Sequence, residues 1–233
     1  MRDSGFYNMD CMEAMREFPD GFFDLAIVDP VYGDVTKGGY MTHNHGQRIG
    51  TGAANQKGYH AGLWNQEKTG REYFQELMRV SKNQIVWGGN YFADMLPVSQ
   101  GYIVWDKEHP EGMTFADCEL AWTSFNKATR LFKYMWNGML QGNMKAKEDR
   151  IHPTQKPVAL YNWILKNYAK NGDKILDTHV GSASSLIACH RAGLQYWGFE
   201  IDPVYYEQAK ARLDRETAQV NITDLMGANM RNA

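Results

Sequence analysis

The chain predicts an α/β fold, a mostly parallel sheet with helices on both faces, and three observations carry that prediction. The first is the run Phe23-Asp24-Leu25-Ala26-Ile27-Val28, which has the apolar character of a buried parallel strand and closes on Asp29-Pro30-Val31-Tyr32-Gly33. The second is a strand–helix–strand–helix unit running from Lys174 to about Glu216. The third is length: 233 residues suit one α/β domain with a small insertion. In open α/β sheets ligands bind beyond the carboxyl ends of the strands. Asp29 and Tyr32 are therefore expected side by side at the mouth of a cleft. A flat ring bearing an amino group suits that pair, stacked on Tyr32 and donating to Asp29. The same five residues also suit a plain turn after a strand, with Asp29 capping backbone amides.

Composition excludes several classes. A formal charge of -2 is not that of a protein that coats nucleic acid by bulk charge, so any such binding needs a local basic patch. Seven Trp and thirteen Tyr can serve as core or as stacking platforms. Cys11, Cys118 and Cys189 have no CxxC spacing, which argues against a zinc site or disulfide framework and for a reducing cytosol. No stretch has the pattern of a signal peptide or an apolar run long enough to span a bilayer.

Taken in order, Gly5–Met9 predicts a short strand and Cys11–Phe18 a short helix with Asp10 as N-cap. Pro19-Asp20-Gly21 is a turn, and the strand to Asp29 follows. Residues 34–70 lack any helical or strand period, and a mobile lid or substrate clamp is the expected role. His43-Asn44-His45 within it has no third ligand at helpful spacing, so no metal is expected. Arg71–Ser81 has an amphipathic period with Tyr73, Phe74, Leu77 and Met78 inward. Gln84–Trp87 is a strand, Tyr91–Leu96 a short helix stopped by Pro97, and Tyr102–Trp105 a strand with Asp117–Ser124 pairing beside it. Leu131–Trp136 has the period of a further antiparallel strand. Residues 126–150 form a basic hairpin or loop. It carries six Lys or Arg between Lys127 and Arg150, and suits either a solvated surface or phosphate contacts.

Pro157 opens a helix to about Tyr168. Lys174–Asp177 is a strand, and Thr178-His179-Val180-Gly181-Ser182-Ala183-Ser184-Ser185 turns into a helix through Arg191. Tyr196–Glu200 is the next strand, and Asp202-Pro203 starts a helix to about Glu216. The polar tail 217–233 is expected to be loose. A small-residue turn opening a helix, with Glu200 about twenty residues on, suits a nucleoside cofactor whose ribose hydroxyls the carboxylate takes. Glu200 also suits a simple helix cap. The glycine-poor turn argues against a dinucleotide.

Asp29-Pro30-Val31-Tyr32, His152-Pro153-Thr154-Gln155-Lys156-Pro157 and Asp177…Gly181-Ser182-Ala183-Ser184 occur in that order. This ordered set resembles the S-adenosylmethionine-dependent DNA amino-methyltransferases of the permuted β group, over about Phe6 to Arg212. Trp87-Gly88-Gly89-Asn90-Tyr91-Phe92 and Gly101-Tyr102-Ile103-Val104-Trp105-Asp106-Lys107 are similar to compact, phage-borne members. The resemblance implies a circularly permuted Rossmann-like methyltransferase fold, with a mostly parallel seven-stranded sheet and one antiparallel strand. It implies that Asp29, Pro30 and Tyr32 are catalytic. It places S-adenosylmethionine against Asp10, Cys11, Asp29, Thr154, Lys156, Asp177, Gly181, Ser182, Glu200 and Asp202. Asp10 would accept from the adenine amino group, and Thr154 and Lys156 would hold the methionine end. Val31 stands where the family has a second Pro, and Ala183 where Gly is common.

The implied activity is methyl transfer to the exocyclic amine of a flipped base in double-stranded DNA, with N6 of adenine favoured over N4 of cytosine because Asp leads the motif. RNA or a protein glutamine as acceptor, or binding without catalysis, are the rival readings. A cytoplasmic location in a bacterial or phage-infected cell, and a monomer or homodimer, complete the expectation.

Overall fold

The computed structural model describes residues 1–33, 68–109, 116–137 and 140–231, with side chains described to residue 218. The expected lid at 34–70 and His43-Asn44-His45 thus lie outside the described residues, save 68–70. The elements are β1 (Gly5–Asn8), α1 (Cys11–Met15), β2 (Leu25–Val28), α2 (Arg71–Val80), β3 (Gln84–Trp87), β4 (Tyr102–Asp106) and β5 (Cys118–Thr123). They continue with β6 (Arg130–Lys133), β7 (Trp136–Asn137), β8 (Leu140–Gln141), α3 (Val158–Tyr168), β9 (Lys174–Asp177), α4 (Ser184–Arg191), β10 (Gln195–Glu200) and α5 (Pro203–Arg231). A 3-10 turn at Gly89–Phe92 takes the place of the short helix expected from Tyr91.

The main sheet has the order β1-β10-β9-β2-β3-β5-β4-β6, and β7–β8 is a separate hairpin. β1, β10, β9, β2 and β3 are parallel neighbours, while β5 runs antiparallel to both β3 and β4. The sheet has eight strands, one more than the seven expected. The edge strand β6, expected from the period of Leu131–Trp136, pairs parallel with β4 and not antiparallel as that period suggested. The reason lies in the crossing between β5 and β6. Segment 124–129 passes the start of β4 so closely that a Cβ on Gly101 would sit 2.7 Å from the Lys127 carbonyl. That close approach carries the chain past β4 and launches β6 in the same direction.

Alternation in β2 feeds two cores. Leu25 and Ile27 face a cluster with Ile85, Trp87, Leu160, Ile164 and Ile187, under α3 and α4. Ala26 and Val28 face Phe74, Leu77, Val86 and Phe199, under α1 and α2. Burial on both faces is why the strand is continuously apolar. α5 runs beyond the expected stop near Glu216, so 217–231 is helical and not loose. The stretch 217–231 has no Pro and several good helix formers, and extending a helix needs no new nucleus. Among the described residues no helix is long and apolar enough to cross a membrane.

Candidate active site

Parallel strands put their carboxyl ends on one side of the sheet. Four neighbours in the order β1-β10-β9-β2 each end in or beside an acid: Asp10, Glu200, Asp177 and Asp29. Asp10 caps α1, its Oδ1 accepting from Met12 N at 2.6 Å and Glu13 N at 3.2 Å. The strand before it is tied to β10, with Met9 N donating to the Glu200 carbonyl at 3.1 Å. Glu200 Oε2 accepts from Gly181 N at 2.9 Å and Oε1 from Asp202 N at 3.0 Å. Burial raises its pKa despite those donors. Asp202 in turn caps α5, accepting from Val204 N and Tyr205 N.

Asp177 is almost fully buried. It accepts from Ser185 Oγ and from His179 N, yet burial pushes its carboxyl up to about 7, helped by the charges of Asp29 and Glu200. Ser182 sits at the turn, its Oγ 3.1 Å from Ser184 Oγ. Ala183 follows with φ 63°, a left-handed conformation that favours glycine. Cys11, beside Asp10, has its thiol pushed up to about 12 by burial and the neighbouring charge, so it is not a thiolate near neutrality.

Asp29 joins its own turn to the segment that carries Lys156. Its Oδ1 accepts from the Tyr32 hydroxyl and its Oδ2 from Lys156 Nζ. The Tyr32 ring stacks on Tyr91, centroids 4.9 Å apart at 29°, and meets Phe92 edge-on. Gly88 makes this possible: a Cβ there would lie 2.2 Å from the Tyr32 ring. Pro30 is buried beneath the turn, and the carbonyl of Val31 accepts from Thr69 N at 3.0 Å. Lys156 is buried, its ammonium 5.2 Å from the Trp87 ring centroid and 3.3 Å from Glu119 Oε2. Burial opposes its charge, but Asp29 and Glu119 outweigh that and raise its pKa.

The fold thus joins Asp29, Tyr32 and Lys156 in direct contact, and Gly181, Glu200 and Asp202 in a second set. Thr154 is exposed and contacts His152 Nδ1 at 3.0 Å; no described contact joins it to Asp29 or Glu200. Sequence reasoning missed Glu119, Lys107, Tyr91 and His152. Burial, with the Lys156 ammonium nearby, pushes His152 down to about 3, so it is a neutral ring packed 4.3 Å from Tyr205. Glu119 is the second residue of β5, and only an antiparallel strand brings its first residues to the carboxyl ends of the others. No local pattern signals that. Tyr91 carried a signal, an aromatic following two glycines at a strand end.

The donor set fits a ligand rich in hydrogen-bond donors. Carboxylates at the ends of β1 and β10 match an amino group and a pair of ribose hydroxyls. Fold and site together define a class: a Rossmann-like α/β methyltransferase fold with its cleft at the parallel strand ends. Solved structures share it. A crystal structure of the M1.HpyAVI–SAM complex superposes with a TM-score of 0.56 at 20% identity, covering 89% of this chain and 98% of that one. PvuII DNA methyltransferase (cytosine-N4-specific) superposes at 0.57 with 12% identity, covering 95% and 92%. A family model described as DNA methylase (N6_N4_Mtase) matches residues 91–211, over half of the chain, and the chain belongs to that family. Type II methyltransferase M.HpaI of Haemophilus parainfluenzae is 40% identical over 70 residues, 30% of this chain and 22% of that protein. Type II methyltransferase M2.DpnII of Streptococcus pneumoniae is 34% identical over 84 residues, 36% and 31% respectively. The matched segments therefore span a third or less of those relatives.

Proposed function

We propose that this chain is a site-specific DNA methyltransferase that modifies the exocyclic amine of a flipped base, N6 of adenine, with S-adenosylmethionine as methyl donor. The observation that carries the reading is the adjacency of β2 and β9. It sets the Asp29–Tyr32 turn beside the Asp177–Gly181 turn, with Glu200 one strand further on. Glu200, Asp10 and the Gly181 turn would hold the nucleoside, and Lys156 and Thr154 would hold the methionine end. When bound, S-adenosylmethionine supplies an electrophilic methyl group.

The chain's own residues would do the rest. A base inside a duplex is out of reach, so it is taken out of the stack. Stacking on Tyr32 is worth about 1–3 kcal/mol by analogy with other base–aromatic contacts. The Asp29 carboxylate and the Pro30 carbonyl accept the two amine hydrogens, draw nitrogen toward tetrahedral geometry and free its lone pair. Asp29 also stabilises positive charge as it develops on nitrogen. Alignment of the reacting atoms supplies much of the rate. The six basic residues between Lys127 and Arg150 would contact phosphates of double-stranded DNA in the cytoplasm of a bacterial or phage-infected cell.

The Asp-led motif supports adenine over cytosine N4. Native sequencing of DNA from cells expressing the chain, with detection of modified bases, tests the whole reading. The expected result is N6-methyladenine at one short site, absent with Asp29→Ala. N4-methylcytosine would move the target to the other base, and unmodified DNA would remove the activity.

A further inference from the structure

Both oxygens of Asp29 already carry donors, the Tyr32 hydroxyl and the Lys156 ammonium. A target amine at Oδ2 would share that oxygen with the Lys156 ammonium, a strong charged donor, and would be held more strongly as Lys156 withdraws. Lys156 is only 5% exposed, and a buried ammonium left without a carboxylate is strongly disfavoured. Glu119 Oε2 stands 3.3 Å from the same nitrogen, while Glu119 Oε1 takes Lys107 Nζ at 2.6 Å. Four charges of alternating sign, Asp29–Lys156–Glu119–Lys107, thus run from the strand-end turn of β2 to the end of β4.

We propose that Glu119 is a positioning residue for methyl transfer: it is the second seat of the Lys156 ammonium, to which that group moves when Asp29 accepts the target amine. The inference rests on the proposed function and deepens it. The shift is small, because Nζ already lies close to both carboxylates, and the ammonium stays paired throughout. The ionisable groups around it are Asp29 and Tyr32 after β2, Glu119 on β5 with Lys107 behind it, and His152 on its own segment. Tyr161 from α3 and Asp177 from β9 complete the surroundings, and burial, helped by the Asp29 charge, raises the pKa of both. Burial works against the Glu119 charge, but Lys156 and Lys107 hold its carboxyl down at about 2, so the second seat is anionic at any working pH.

Without Glu119 the ammonium has only Asp29, so it stays on Oδ2 and weakens that oxygen as an acceptor for the target amine. The test is steady-state methylation of unmodified plasmid DNA by the full chain. Glu119→Gln should lower kcat by about tenfold with little change in KM for DNA. Glu119→Asp keeps a carboxylate and should recover most of that loss. Glu119 acts through Lys156, so adding Glu119→Gln to Lys156→Met should cause no further loss of kcat, which keeps the test decisive if Glu119→Gln alone does not fold. A wild-type kcat in Glu119→Gln, a deficit unrelieved in Glu119→Asp, or a further loss in the double variant would overturn the proposal. A wild-type chain that methylates no DNA overturns the proposed function itself, and that control precedes the variants.

Discussion

Tyr32 donates its hydroxyl to Asp29 Oδ1, so the aromatic and the acid of the strand-end turn are bonded to each other. The bond fixes both side chains where a flat amine-bearing ring would meet them.

Asp29→Ala should abolish methylation and leave cofactor affinity nearly unchanged, because its bonds to the target amine matter most as nitrogen becomes tetrahedral. Tyr32→Phe should be milder than Tyr32→Ala, since the ring remains and the Asp29 oxygen is released. Tyr32→Ala should weaken base capture by about 1–3 kcal/mol as well as turnover. A fluorescent base analogue at the target position reports capture separately from methyl transfer. Near wild-type methylation by Asp29→Ala would place the chemistry elsewhere.

Glu200→Ala should weaken S-adenosylmethionine binding by about tenfold or more, the worth of a lost hydrogen bond to a charged group. Its two oxygens bridge Gly181 N and Asp202 N, so the turn loosens with it. Titration calorimetry on wild type and variant decides, and equal affinities would take Glu200 out of the site.

Asp177 predicts a pH signature of stability. Its carboxyl is ordinarily near 3.8 and is raised to about 7 in the fold, by burial above all. A raised acid keeps its proton in the folded state after the unfolded chain has lost it. Its contribution is thus fully present below about pH 4 and lost as pH rises toward 7, at up to about 1.4 kcal/mol per pH unit. His152 and His179, lowered to about 3 and about 4 chiefly by burial, act in the opposite direction as pH falls below 6.5. The difference between wild type and Asp177→Asn isolates the first effect. Urea unfolding should show the variant gaining on wild type between pH 4.5 and 7.5, and a constant difference would contradict the assignment.

Arg212 is buried on α5 and reaches three groups: the Ser182 carbonyl at 2.7 Å, Ser184 Oγ at 2.9 Å and Glu148 Oε2 at 2.6 Å. Glu148 also accepts from Val158 N at 2.9 Å. The pair therefore pins the end of the basic segment to the Ser182 turn. Arg212→Met should cost about 1.5–3 kcal/mol, because half-buried Glu148 loses its nearest cation and its charged hydrogen bond. Adding Glu148→Gln should recover part of that loss. A double-mutant cycle by urea unfolding measures the coupling, and additive losses would count against the tie.

Ala183 holds φ 63° where the resembled family commonly has Gly. Relief of left-handed strain in Ala183→Gly, about 1–2 kcal/mol, is offset by the lost buried methyl and by added chain entropy. That variant should lie within about 1 kcal/mol of wild type. Ala183→Val should lose several times as much, because a β-branched residue resists this conformation and the position is fully buried. Thermal melting of the two variants ranks them.

The sequence by itself determined the α/β class, the order of strands and helices, and the turns that hold Asp29, Gly181 and Glu200. Each of these is local: an apolar run, a capping acid, a small-residue turn opening a helix. Even the placement of Asp10 and Glu200 at the ends of β1 and β10 was legible, because parallel strands all deliver their last residues to one side of the sheet. What only the tertiary structure decided involves pairs distant along the chain. Glu119 reaches Lys156 because β5 runs antiparallel and presents its beginning where the others present their ends. β6 pairs parallel with β4 because the chain slips past Gly101, and a period of two cannot reveal direction. Arg212 meets Glu148 across sixty-four residues, and its burial, not its spacing, makes the pair matter. Residue type and spacing encode local geometry; the partner of a buried charge is set by how the elements pack.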